Sequence, residues 1–464
     1  MDKRFGRMLP LNTAALLLLV ALFAGCATTQ VSGPSKQDPA SAAFASAAQL
    51  AHQHATLTGK AKTDNAREID RLLAALDNTT LTRDAAALPV GDPLYAFAGQ
   101  ALLNRGLPLP RPFDRGEQWR FDLNDRPAAD RDGYRPPVKL AVLLPLSGSL
   151  ATASAPVRDG LLAGYYGENR RRPEITFIDT AGTATGAIDA YGKAVASGAD
   201  FIVGPLGRDE VSAVFRESSL KVPMLALNRG VVSPPPGNAG FSLAPEDDGI
   251  AAAEYLLSRE RKTALVIGGN DDNGKRAAAA FRDRFTERGG KVVDSLSVAE
   301  TPGNVSAALS AASQAGVDSV FLALKGNTAR AIAPQLALAG LGGKSRVATS
   351  QLVSGTGKPE QDSALDGIIY PTEVWTARGV PGLPAASVVG ASLPTARGPA
   401  ARLFAFGFDA WKLTAYLEHL ATGKNVQLQG ATGELRLDGF GNVIRTPAWS
   451  TFSGGQSVSV TGGG

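Results

Sequence analysis

The chain has 464 residues, 44% of them apolar and 19% charged, enough for several domains with substantial cores. The formal net charge is only +4, and Lys3, Arg4 and Arg7 supply much of it, so the rest offers no basic field for nucleic acid. The lone cysteine excludes an intrachain disulfide and any thiolate cluster, and no cofactor or metal is expected.

Lys3, Arg4 and Arg7 precede an apolar run over 14–24, shorter than the roughly 20 residues a bilayer span needs. A charged start and a short apolar core mark residues 1–25 as a signal peptide. The run ends in LFAGC at 22–26, which resembles a bacterial lipobox, with small Ala24 and Gly25 before the bond to be cut. Cys26 is therefore the expected lipid attachment point, since acyl chains contribute about 0.8 kcal/mol per buried methylene. Ala27 is not Asp, a pattern that implies passage to the outer membrane.

Residues 26–62 lack apolar periodicity and read as a lipidated flexible tether. Residues 63–137 read as a small helical region with proline-rich linkers. Ile69, Leu72, Leu73 and Leu76 share one helical face, and a second helix opens at Pro93 and stops at Gly106. From Lys139 the rhythm becomes β–α. Continuous apolar strands alternate with helices to about 227, and the pattern restarts with the strand at 264–268. This predicts an α/β protein of two doubly wound lobes: 138–244 with about 376–422, and 245–375 with about 426–453. Residues 454–464 are expected as a disordered tail.

Gly269-x-x-x-x-Gly274-Lys275 copies a phosphate loop, but Arg276 replaces the hydroxyl residue that would hold Mg²⁺. Asp271 and Asp272 would also repel a triphosphate. The stretch is read as a strand-to-helix loop with Asp272 or Asn273 as cap. The only histidines are His52, His54 and His419, and no Gly-x-Ser-x-Gly elbow occurs, so no catalytic constellation is expected. Glu246, Asp247 and Asp248 read as a solvated turn and helix start.

In open α/β sheets a ligand lies at the carboxyl ends of the strands. That selects Ser147, Gly148, Ser149, Gly204, Pro205, Leu206, Asn228 and Arg229 from the first lobe. From the second it selects Asn270, Asp271, Lys325 and Gln351, with Glu373 and Trp375 near the hinge. A small polar solute is the ligand such a cleft would take. The alternative is that these residues bridge the lobes with no ligand present.

Two lobes with late chain crossings resemble the type I periplasmic-binding-protein fold. The strings LLPLSG, VRDGLLAGYY, FIVGPLGRDEV, PMLALNR, FGFDAW and GATGELRLDGFGNVIR, in that order over 138–453, resemble the LppC/LpoA family of outer-membrane lipoproteins. The resemblance implies a periplasm-facing activator of a class A penicillin-binding protein, the bifunctional peptidoglycan synthase, with no catalysis of its own. Longer members carry a large tetratricopeptide-like domain where this chain has only residues 27–137. A lipid-anchored receptor for an amino acid, amide or muropeptide is the competing function.

Overall fold

The computed structural model describes residues 41–114, 126–217, 220–423 and 426–460. The signal peptide and Cys26 lie outside these described residues.

Residues 42–54, expected within the tether, are helical instead. Ser41 accepts a hydrogen bond from the Phe44 N–H, and Phe44, Ala47 and Ala51 bury one face of α1 (Ala42–His54). A sparse stripe of small residues with one aromatic was enough, because neighbouring helices complete the core. Those are α2 (Gly59–Ala74), α3 (Asn78–Ala87) and α4 (Leu94–Asn104). They enclose Ile69, Leu73, Leu81, Leu94, Phe97 and Leu102. Among the described residues, four helices thus stand where two were expected. His54 packs edge-on against Phe97 and hydrogen-bonds Asn65 at 2.9 Å.

The first lobe runs β1 (Lys139–Leu144), α5 (Ala151–Gly167), β2 (Glu174–Asp179), α6 (Ala184–Ala196), β3 (Phe201–Val203), α7 (Arg208–Val214), β4 (Met224–Ala226) and β5 (Ala239–Phe241). The second runs α8 (Pro245–Leu257), β6 (Thr263–Gly269), α9 (Asp272–Glu287), β7 (Lys291–Val298), α10 (Ser306–Gln314), β8 (Ser319–Ala323), α11 (Gly326–Leu338), β9 (Ser345–Ala348), the short α12 (Pro359–Asp362) and β10 (Ile369–Thr372). The parallel parts are ordered β2-β1-β3-β4-β5 and β7-β6-β8-β9-β10, the same doubly wound order used twice. Successive residues of β1 serve opposite faces. Leu140, Val142 and Leu144 pack with Val157 and Trp411, whereas Ala141 and Leu143 pack with Ala187 and Val211.

The chain then crosses back through α13 (Val374–Arg378), α14 (Ala386–Ser392) and α15 (Ala400–Thr422). α15 lies against α5 at backbone contact. A Cβ on Gly160 would sit 1.9 Å from the Phe404 carbonyl, and one on Gly407 would sit 1.9 Å from the Val157 carbonyl. The glycines of VRDGLLAGYY and FGFDAW therefore exist to let two helices touch.

Two boundaries differ from those expected. β11 (Leu428–Gln429), β12 (Glu434–Leu437) and β13 (Asn442–Thr446) join the first sheet, with β13 parallel to β5, so 428–446 belong to lobe 1. The reason is Asp409 of α15. Its carboxylate accepts hydrogen bonds from the Ala431 N–H (2.6 Å), the Thr432 N–H (2.7 Å) and the Thr432 hydroxyl (2.6 Å), pinning the returning chain to lobe 1. Only β14 (Ala448–Ser453) and β15 (Gln456–Ser459) enter the second sheet. β15 stands in the stretch expected to be disordered. Gly454 and Gly455, both at positive φ, turn the chain, and their N–H groups donate to Asp366 at 2.9 Å.

The helical module bears on both lobes. Phe440, in the β12–β13 turn, meets Phe97 at 4.7 Å between ring centroids. Arg288, at the end of α9, and Arg105 both donate to the Leu76 carbonyl beyond α2.

The interlobe candidate site

The strands of each lobe end at the cleft, so the loops after them carry the candidate residues. Most of those residues are consumed by the fold. The Ser147 N–H and hydroxyl both donate to Asp179, whose carboxyl these bonds and the Ala181 N–H hold below the usual range. Gly148 has φ +79°, and a Cβ there would meet the Ala181 carbonyl at 2.7 Å; Ser149 is exposed. A Cβ on Gly204 would lie 2.0 Å from the Leu143 carbonyl. The Pro205 carbonyl accepts from the Leu227 N–H, and the Leu206 carbonyl accepts from the Asn228 amide at 2.8 Å. The Asn270 side-chain amide oxygen accepts from the Ser297 hydroxyl. The Trp375 indole N–H donates to the Pro384 carbonyl at 2.8 Å.

The phosphate-loop lookalike is explained in the same way. The cap of α9 is Asp271, one residue before Asp272 and two before Asn273, accepting from the Gly274 N–H at 2.9 Å. Asp271 thus already occupies a backbone donor that a phosphate would need. Gly274 is glycine because a Cβ there would crowd the Gly269 backbone at 2.8–3.0 Å.

Three predicted residues do converge. Asp271, Lys325 and Gln351 line a pocket of about 40 Å³ together with Asp248, Thr349 and Arg402. Lys325 also reaches Glu300 at 3.5 Å, and Gln351 accepts from Ser354 at the same distance. Ligand pockets ordinarily run to roughly 300–1,000 Å³, so this one has room for little beyond ordered water.

Beside this pocket, where the chain crosses between the lobes, charges meet. Arg229 reaches from the end of β4 to Asp247 at the start of α8, with paired contacts of 3.0 and 3.3 Å. The Asp247 carboxylate holds Arg229 above its usual range. Arg402 of α15 lies 3.2 Å from Glu373 and 3.9 Å from Asp248, and Arg445 of β13 lies 3.7 Å from Asp248. The Ser350 N–H and hydroxyl donate to Asp248 at 2.9 and 2.5 Å. Arg402 Nε and Nη2, Glu373 Oε1, Asp248 Oδ1 and Thr349 Oγ1 are buried without an aligned hydrogen bond, so these ions meet by proximity alone. Glu246 stays within its own lobe, held by Arg276 at 2.8 Å. Burial pushes the Glu246 carboxyl up, and Arg276, the helix-start N–H and Arg229 together bring it below its usual range.

The triplet 246–248 does open a helix, and Glu246 and Asp247 keep solvent contact with side chains 31% and 38% exposed, but Asp248 is 2% exposed. Sequence reasoning missed Asp248, Thr349, Arg402 and Arg445. The available signal was Arg402 itself, a lone cation beside the apolar stretch LFAF.

A two-lobed doubly wound body with its cleft between sheet ends defines a class, and a family model confirms it. Residues 137–387 match the periplasmic binding protein family, and the chain belongs to that family. The resemblance to LppC/LpoA proteins holds as well. The penicillin-binding protein activator LpoA of Photobacterium profundum is 25% identical over 347 residues, covering 68% of this chain and 56% of that protein. The chain thus spans little more than half the length of that curated relative. Full-length LpoA from Haemophilus influenzae superposes with a TM-score of 0.60 at 19% identity, over 90% of this chain and 78% of that one. The LpoA (YraM) C-domain from the same organism, described as a regulator of PBP1A, superposes at 0.59 and 20% identity, over 70% of this chain and all of that one. At those identities the structures establish the fold.

Proposed function

We propose that this chain is an outer-membrane lipoprotein that activates a class A penicillin-binding protein by docking on it from the periplasmic side, without catalysing a reaction itself. The observation that carries the reading is the sequence match to LpoA activators over two thirds of the chain. The small volume of the pocket beside the lobe crossovers supports a body that works by contact. Its binding energy would favour a more active synthase conformation.

The test is reconstitution. The purified protein, added at saturation to the class A synthase of its own source, is expected to raise glycan polymerisation and crosslinking several-fold. Unchanged rates would overturn the reading. The competing receptor for a small polar solute draws its support from the buried polar atoms around Asp248 and Arg402. It requires a melting temperature that rises with solute concentration in a screen of amino acids, amides and muropeptides.

Anchoring rests on Cys26. Cys26→Ser is expected to move the protein from the outer-membrane fraction to the soluble periplasm. A variant that still sediments with outer membrane would remove lipidation as the anchor.

A further inference from the structure

We infer that the excursion 376–399, with Tyr166 of α5 beside it, is the face that docks on the synthase, and that it meets an acidic protein surface there. This docking rests on the proposed activation and adds to it the place and the chemistry of contact.

The excursion follows β10, precedes α15 and carries α14, yet it contributes no strand to either sheet. An ordered loop of this length is uncommon in a compact domain unless it serves binding. Its inner side is fixed. Leu383 and Ala396 are buried with Trp375, Phe404 and Phe408, and the Thr395 hydroxyl donates to Asp159 of α5 at 2.7 Å. The Trp375 indole holds the Pro384 carbonyl, and Pro381, Pro384 and Pro394 restrict the backbone. A partner therefore meets a surface that is already ordered, and little conformational entropy is lost on contact.

The outer side is apolar and cationic. Val388 of α14 is 63% exposed and Tyr166 is 69% exposed. Tyr166 adjoins the excursion, since a Cβ on the next residue, Gly167, would lie 3.8 Å from the Gly382 carbonyl. The Arg172 guanidinium lies 5.9 Å from the centre of the Tyr166 ring. Arg378 and Arg397 are exposed, and among the described residues neither has an ion pair. From 374 to 408 the chain contains no Asp, Glu or Lys. Asp159, beneath the excursion, is already paired with Arg158 at 2.8 Å. Exposed Arg and Tyr among apolar side chains, without Lys, Asp or Glu, is the composition of a protein contact centre.

Charge selects the occupant. Unpaired guanidinium groups call for carboxylates opposite them. A second copy of this chain, in a two-fold dimer, would set the same cations against one another. A lipid surface is held by clusters of roughly 4–8 basic side chains, more than Arg172, Arg378 and Arg397 supply.

The readout is the affinity of the full chain for the class A synthase of its own source, measured by calorimetry. Wild type should bind several-fold more weakly in about 500 mM salt than in about 50 mM. Arg378→Glu with Arg397→Glu should weaken binding at least about tenfold and flatten the salt dependence. Tyr166→Ser with Val388→Ser should weaken it about tenfold and keep the salt dependence. Lys193→Glu with Arg216→Glu carries the same charge change on exposed positions of the opposite side of the first sheet, and should bind as wild type does.

The docking face is overturned, and activation stands, if wild type binds and activates while either face variant binds as tightly. It is also overturned if the control pair weakens binding as much as the face pairs do. Vesicles of phosphatidylglycerol that retain wild type but not the Arg378/Arg397 variant, with synthase affinity unchanged, would give the face to a membrane. Wild type that neither binds nor activates removes the activation and the face together. Should either face pair lower the unfolding midpoint, Arg397→Ser and Val388→Ser alone decide by the same criteria.

Discussion

Gly160→Ala is expected to destabilise the protein by more than about 3 kcal/mol, enough to abolish soluble expression or lower the unfolding midpoint sharply. The new methyl carbon would lie 1.9 Å from the Phe404 carbonyl and 3.0 Å from the Phe408 nitrogen. These are backbone atoms of α15, so no rotamer change can make room. Gly407→Ala meets the Val157 carbonyl at the same 1.9 Å from the other side and should behave alike. The control is Gly192→Ala in α6, where nothing lies within 4 Å of the new carbon. There the alanine should be neutral or stabilise by up to about 1 kcal/mol, because a glycine in a helix interior costs about that much. Denaturant titration of the three variants decides. A Gly160→Ala midpoint equal to wild type would mean that α5 and α15 do not cross as described.

Asp409→Ala should cost a comparable amount, roughly 3–5 kcal/mol, for a different reason. It strands two buried N–H groups and one hydroxyl, each worth about 1–3 kcal/mol when left without an acceptor. Asp409 is also the clearest source of pH dependence. Burial pushes its carboxyl up to about 6 from the ordinary 3.8, against the opposing hydrogen bonds from Thr432 and Ala431. A raised folded-state value means that the native state holds its proton more tightly than the unfolded chain. The stability this supplies is complete below about pH 4, is lost as pH rises toward about 6, and is constant above that.

The difference amounts to about 3 kcal/mol at 1.36 kcal/mol per unit. Asp409→Asn cannot titrate, so its deficit relative to wild type should grow by about that much between pH 7 and pH 4. A deficit that does not change would show that the hydrogen bonds balance burial at this carboxyl, and one that shrinks on acidification that they outweigh it.

The sequence made the alternation of strands and helices legible because each element has a strong local period. β1 is a continuous apolar run, and α9 is amphipathic with a clear start signal. The family strings were legible too, although their physical reasons were not. The glycines of VRDGLLAGYY and FGFDAW answer to helices that are distant in sequence. The aspartate of FGFDAW answers to a loop more than twenty residues downstream. Long-range pairing also explains the misplaced boundary at 428–446, since nothing local tells a short strand which of two sheets to join.

The candidate site was legible at the level of loops, because the doubly wound rule places them, but not at the level of partners. Arg229 was expected to meet a ligand carboxylate and meets Asp247. Asp271 lines the pocket, yet its carboxylate is spent on capping a helix. Asp248 was passed over because an acidic triplet after a proline is ordinary at an exposed helix start. Its burial depends on two arginines from the far end of the chain.

The helical module has footings on both lobes, through Phe440 on one side and Arg288 on the other. Tension applied at Ser41 is therefore shared between the two halves of the body and does not pull on one alone. Rocking of one half against the other must slide an aromatic contact or strip an arginine from a helix end. The module acts as a strut across the joint, and shortening or loosening it would soften the whole assembly to mechanical load.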